Sequence, residues 1–283
     1  MQQRIAVVTG ASGGIGMLSA LELARNGYRV VATMRNLAKR TNLDRLAAEQ
    51  SLQNRIEVRR LDITEFPSIQ PAIESIVNDF GRIDVLLNNA GFALGGFAED
   101  VSLAELREQL ETNFFGHVEM TKAVMPVMRK QRAGYIIMVS SISGVCGQAG
   151  VSSYSASKWA LEGWSEALRI ESQPLGIKVV LVEPGAFKTD VWDTNVHLAQ
   201  AGLRDDSPNR ARARHFSEYV RTKIVKHDPI QVARLIAKIA NNPEPKLRYV
   251  VGTDAHIQKV MKRVLPFSWY ERLIVRELGL NME

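Results

Sequence analysis

The chain has 283 residues, 46% of them apolar and 23% charged, with a formal net charge of +6. The apolar share is enough for a sizeable core and excludes a disordered chain, and no stretch approaches the about 18 consecutive apolar residues of a membrane-spanning helix. The basic excess is local: residues 204–283 hold 16 Lys and Arg against 9 Asp and Glu, whereas residues 1–203 are close to neutral.

Strand-like apolar runs alternate with helical periodicity along the chain. Arg4–Val8 reads as a strand and Ile15–Asn26 as a helix closed by Gly27. Tyr28–Thr33 is a second strand, and Leu37–Gln53 carries Leu37, Leu43, Leu46 and Ala47 at helical spacing. Ile56–Leu61 is a third strand, Ile69–Phe80 a helix ending at Gly81, and Ile83–Leu87 a fourth strand. Two helices fill Leu103–Arg132; Tyr135–Val139 is a fifth strand, Ser155–Gln173 a long helix and Lys178–Val182 a sixth strand. Val232–Ile239 is helical and Arg248–Val251 a last strand. Alternating units without hairpin turns predict one α/β domain over 1–283, a doubly wound parallel sheet of about seven strands with helices on both faces. Residues 185–227, polar, rich in Arg and without a clear strand, read as a substrate lid. The extension 256–283 interleaves apolar and basic residues. It reads as a helix packed on the core, with a pocket wall or a membrane-contacting face as alternatives.

Thr9–Gly16 lies between the first strand and the first helix. Gly10 permits a tight turn, Gly14 lets backbone approach a pyrophosphate, and Gly16 allows close helix–strand packing, with Ser12 and Ile15 completing the turn at the helix N-terminus. That placement predicts nucleotide binding. The second strand ends in Ala32-Thr33-Met34-Arg35-Asn36, with no carboxylate to accept from a ribose 2′-hydroxyl. Arg35 reads either as a solvated loop residue or as a partner for a 2′-phosphate; together with the missing acid it favours NADP(H) over NAD(H).

Tyr154 and Lys158 are four residues apart, on one face of the long helix. An ammonium about 5 Å from a phenol, at an effective dielectric of about 20, is worth roughly 3 kcal/mol, or about two pKa units. The spacing therefore predicts a phenol whose pKa is lowered into a usable range for proton transfer.

These motifs, with Leu61-Asp62-Ile63, Asn88-Asn89-Ala90-Gly91, Asn113, Val139-Ser140-Ser141 and Pro184-Gly185 with Thr189, resemble the short-chain dehydrogenase/reductase family, in its NAD(P)-dependent Tyr-x-x-x-Lys branch, over about residues 4–190. The resemblance implies a Rossmann-type fold and a role for each matching residue. Tyr154 would be the general acid and base. Lys158 would lower its pKa and hydrogen-bond the nicotinamide ribose. Ser141, thirteen positions before Tyr154, would hold the substrate oxygen. Asn113 would anchor a water linking Lys158 to solvent, against a plain reading as a helix-interior amide. Asp62 and Ile63 would flank the adenine. Asn89, with Ala90 and Gly91, would brace the central strands or touch the adenosine ribose. Pro184, Gly185 and Thr189 would hold the carboxamide. The family further implies a homodimer or homotetramer through helices near 103–130 and 154–173.

No metal is expected: the five histidines, His117, His197, His215, His227 and His256, lack zinc spacing and read as unrelated to the chemistry. Cys146 cannot close an internal disulfide; it reads as a small apolar filler, and the chain as cytoplasmic. The pocket candidates Phe92, Leu94, Phe97, Val145, Phe187, Val191 and Trp192 are apolar and suggest a lipophilic alcohol, ketone or aldehyde. Similarity to hydroxysteroid- and retinol-dehydrogenase-like members points the same way. The basic C-terminal region keeps a ketoacyl thioester reductase docking an acidic carrier as an alternative, and an NADP-sensing binding protein is a second. Nucleic acid is not expected, for want of a binding motif. The tail leaves peripheral membrane contact open.

Overall fold

A computed structural model of the chain describes residues 3–189, 196–222 and 226–278. Its central strands are short runs of apolar residues buried on both sides, as a parallel sheet requires, whereas the edge strands Ile56–Arg60 and Arg248–Val251 are half-buried. Seven of them form one sheet: β1 (Ile5–Val8), β2 (Arg29–Met34), β3 (Ile56–Arg60), β4 (Val85–Asn88), β6 (Gly134–Val139), β7 (Ile177–Pro184) and β9 (Arg248–Val251). The order is β3-β2-β1-β4-β6-β7-β9, with every pairing parallel. Register pairs Ile5 with Arg29 on one side of β1 and Ala6 with Val85 on the other.

Alternate residues of each strand feed two separate cores. Ala6, Val8, Val30, Ala32, Val180 and Val182 face α1 (Gly14–Arg25), α2 (Thr41–Glu49) and α8 (Ile230–Ala240). Ile5, Val7, Val31, Ile136, Val179 and Leu181 face α3 (Phe66–Phe80), α5 (Gly116–Gln131) and α6 (Ser152–Ser172). The two long-range ties across the first core are Tyr28 Oη donating to the Ala240 carbonyl at 2.7 Å and Tyr135 Oη donating to the Asn242 carbonyl at 2.8 Å. No helix among the described residues is long and apolar enough to cross a membrane.

Three expectations need correction. The stretch read as one helix over Leu37–Gln53 is a 3₁₀ turn, Leu37–Arg40, followed by α2, because the Asn36 carboxamide caps the Ala38 N–H and tightens the chain there. The stretch 185–227, read without a strand, contains β8 (Val196–Leu198), which pairs with β5 (Ala93–Gly95) in a small parallel ladder, and α7 (Arg210–Thr222). Helix α4 (Leu103–Leu110) and α5 are the two helices expected in Leu103–Arg132, joined by a single π-helical turn, Glu111–Phe115. The tail forms α9 (Thr253–Val264) and α10 (Phe267–Glu277), of which only Ala255 and Tyr270 are fully buried; Ile257, Val260, Val264, Phe267, Trp269 and Leu273 face outward rather than packing on the core.

Candidate active site

The strand order reverses between β1 and β4, and loops leaving their C-terminal ends part there to leave a crevice. Thr9, just after β1, stitches the two loops together: its Oγ1 accepts from the N–H groups of Asn89 at 2.9 Å and Ala90 at 3.1 Å. The Asn89 carboxamide donates to the Thr9 and Gly10 carbonyls at 2.9 and 3.2 Å, so this side chain braces the strands. Gly10 has a left-handed φ of +67°, and a Cβ on it would stand 2.7 Å from the Ala90 Cα. A Cβ at Gly16 would collide with the Gly10 carbonyl and the Asn89 amide, which is how closely α1 approaches β1. The first turn of α1 therefore presents bare backbone to the cleft, a surface suited to a diphosphate.

The cleft encloses about 380 Å³. Gly10, Ser12, Gly14, Ile15, Gly16, Arg35, Asp62, Ile63, Asn89, Ala90, Gly91, Pro184, Gly185 and Thr189 line it, together with Asn113, Ser141, Tyr154 and Lys158. Every site residue selected from the sequence thus comes to one cavity. Lys39, Glu108, Thr112 and His197 also line it and were missed. A second cation four positions beyond Arg35 was a legible signal for Lys39; nothing in the periodicity announced the strand that carries His197.

Ser141 starts a 3₁₀ turn, its Oγ accepting from the Ser143 N–H at 3.1 Å, and its hydroxyl is hydrogen-bonded to that of Tyr154. Ser140 is turned the other way, toward Glu162. Tyr154 is buried, and burial pushes its pKa up to about 12, with the Ser141 bond opposing. This reverses the lowered pKa expected from the Tyr–Lys spacing. Lys158 Nζ lies 5.7 Å from the centre of the phenol ring and donates instead to the Val139 carbonyl at 2.9 Å, so the desolvation of a phenolate dominates. Burial also brings the Lys158 pKa down to about 8, against the pull of the Glu162 carboxylate.

Asn113 sits inside the π-helical turn rather than in a regular helix. Its amide donates to the Phe92 carbonyl at 3.0 Å and to Ser157 Oγ at 3.2 Å, and its oxygen accepts from the Phe92 N–H at 3.2 Å. Beneath it, His117 is fully buried with Nε2 2.7 Å from the Ala90 carbonyl. Burial first and the Lys158 charge second press its pKa down to about 3. His197 therefore lines the cleft, contrary to its reading as unrelated, whereas His117 lies beneath the cleft and does not line it.

Of the apolar pocket candidates, Phe92 and Phe187 line the cleft, and Phe92 stacks on His197 with centroids 4.6 Å apart. Leu94 is buried in β5, Phe97 packs on Phe216 under Arg212, and Val145 packs beside Cys146. Val191 and Trp192 lie outside the described residues. Cys146 is buried with Ile142 and Ala255, and burial raises its thiol pKa.

Residues 4–198 match the sequence profile of the family described as short chain dehydrogenase. The oxidoreductase YusZ of Bacillus subtilis, itself uncharacterized, is 40% identical over 98% of this chain and 99% of its own. A 3-ketodihydrosphingosine reductase of Bacteroides thetaiotaomicron is 38% identical over 89% of each chain, and retinol dehydrogenase 8 of Bos taurus 35% identical over 88% of this chain and 82% of its own. Among solved structures, a short-chain dehydrogenase from Streptomyces avermitilis superposes with a TM-score of 0.82, at 30% identity over the whole of both chains. ElxO with NADP bound gives 0.73, at 27% identity over 90% of this chain and 98% of that one. With a cleft at the switch point of its sheet and likeness that runs from end to end, the chain belongs to the short-chain dehydrogenase family and is an oxidoreductase of alcohol and carbonyl groups.

Proposed function

We propose that the protein uses NADP(H) to interconvert a lipophilic alcohol with its ketone or aldehyde, with Tyr154 as general acid in reduction and general base in oxidation. The observation that carries this is the hydrogen-bonded Ser141–Tyr154 pair, with Lys158 one helical turn on, in the same cleft as the glycine turn. When bound, the cofactor supplies or takes up the hydride. The turn from Gly10 to Gly16 and the start of α1 would hold its diphosphate, Asp62 and Ile63 its adenine, and Pro184, Gly185 and Thr189 its carboxamide. In reduction, Tyr154 gives its hydroxyl proton to the carbonyl oxygen as that oxygen gains negative charge. The Ser141 hydroxyl donates to the same oxygen and stabilises the developing charge. Lys158, cationic at neutral pH, compensates the phenolate left behind, and Asn113 fixes the loop at Phe92 that closes this end of the cleft.

The preference for NADP(H) is supported by Arg35, whose side chain is 78% exposed on the cleft wall, with its nearest carboxylate among the described ion pairs, that of Asp62, 3.9 Å away. Lys39 adds a second cation to that wall, and the NADP in ElxO is consistent with it. The apolar Phe92 and Phe187, and the lipophilic compounds named in two of the relatives, support the substrate class. Outward-facing Val260, Val264, Phe267 and Trp269, beside Arg263 and Arg272, support docking of α9 and α10 on an anionic membrane surface. Exposed Trp159 and Ile170, on one side of α6, support a homodimer across that helix.

The test is NADPH oxidation with a panel of long-chain ketones and aldehydes. Tyr154→Phe should lower turnover by about a hundredfold or more while NADPH binding is retained. Wild-type turnover in that variant would remove Tyr154 from the role.

A further inference from the structure

The family match ends at residue 198, yet the loop after β7 is held by residues well beyond it. Pro184, Gly185, Phe187 and Thr189 form one wall of the cleft. The Ala186 N–H donates to Asp254 Oδ2 at 2.7 Å. His227 runs beside Phe187 as a parallel bridge: its N–H donates to the Ala186 carbonyl and its own carbonyl accepts from the Lys188 N–H, each at 2.9 Å. Asp254 Oδ1 lies 3.2 Å from His227 Nε2, so the carboxylate also sits against the residue that bridges Phe187. A Cβ at Gly185 would collide with that carboxylate, which fills the space any side chain there would need. Asp254 stands in the first turn of α9, where the helix dipole favours an anion. The same helix reaches back again through Lys259, whose Nζ is 2.8 Å from Oε2 of the fully buried Glu183, one residue before Pro184.

We propose that Asp254, seconded by His227, is a positioning residue that sets the Pro184–Thr189 wall against the nicotinamide half of the cofactor. The inference rests on the reading of that wall given above. A carboxylate bond to a backbone amide is charge-assisted, and without it the Ala186 N–H loses its partner and the wall its register. Among the described residues no hydrogen bond or ion pair joins Asp254 to the opposite half of the cleft, from Gly10–Gly16 to Arg35 and Asp62. Removing the carboxylate therefore separates the two halves of the ligand.

Binding of NADPH and of adenosine 2′,5′-bisphosphate, which carries the phosphorylated adenosine without a nicotinamide, is measured by calorimetry on the full-length chain. Asp254→Ala should weaken NADPH about tenfold or more and leave the bisphosphate within about twofold. Asp254→Asn, whose amide oxygen still accepts from Ala186, should keep NADPH within about threefold of wild type. His227→Ala, which retains the backbone bridge, should cost NADPH about threefold and the bisphosphate nothing. Equal losses for both ligands in folded Asp254→Ala, or no loss of NADPH, overturn the proposal. Should circular dichroism show Asp254→Ala unfolded, the His227→Ala difference decides, and its absence overturns the proposal. Wild-type protein that binds neither ligand overturns the cofactor reading and this inference with it.

Discussion

Single side chains carry most of the pH and cofactor dependence expected here. His117 is neutral and fully buried, with a pKa of about 3 against an ordinary 6.5. Between those values the unfolded chain binds a proton that the folded chain refuses, so stability falls as pH drops through that window. On the order of 3 kcal/mol should go between about pH 6.5 and pH 4, read from urea midpoints, and His117→Gln should flatten the slope. A wild-type slope that survives the substitution would assign the acid lability to other groups. Arg35→Ala should weaken NADPH about tenfold or more and NADH by less than about threefold, measured by fluorescence titration; equal losses would take Arg35 out of 2′-phosphate recognition. The positions of Arg35 and Ser141 were legible because their motifs fix backbone at strand ends, and backbone placement follows from the fold; His117, inside α5, carried no such signal. Ionisation was not. The direction of the Tyr154 shift depends on how dry the phenol is and on the Lys158 ammonium turning to Val139, and neither is written in a four-residue spacing.

Secondary-structure elements were legible in proportion to how many neighbours fix them. Strands buried on both faces announce themselves as apolar runs, and β1, β2, β6 and β7 lie within a few residues of their expected places. β8 did not, since three residues paired only to β5 leave no periodic trace. The π-helical turn at Glu111–Phe115 was equally silent: one inserted residue shifts Asn113 without altering the composition of the helix around it. At the opposite end of the site, the contact between α1 and β1 tolerates no added atom. Gly16→Ala should lower thermal stability by about 2 kcal/mol or more and abolish NADPH binding, because the new methyl group meets the Gly10 carbonyl and the Asn89 amide. A variant that melts and binds like wild type would mean that α1 can draw back from the strand.

For the molecule as a whole, the outward face of α9 and α10 has a direct readout. The protein should co-sediment with vesicles containing phosphatidylserine and much less with neutral ones, and Val264→Asp with Phe267→Asp should reduce binding about tenfold or more. Binding that ignores both lipid charge and these substitutions would rule out this face. The order of the central sheet has a consequence for synthesis. β9 closes the edge of β7, yet residues 185–247 separate the two strands in the chain, and the Tyr28 hydroxyl waits for the Ala240 carbonyl as its hydrogen-bond acceptor. A nascent chain still on the ribosome therefore carries an open, apolar β7 margin until Arg248–Val251 has emerged. Stalled or C-terminally clipped chains ending before Arg248 should be the aggregating species in the cell and the natural clients of its chaperones.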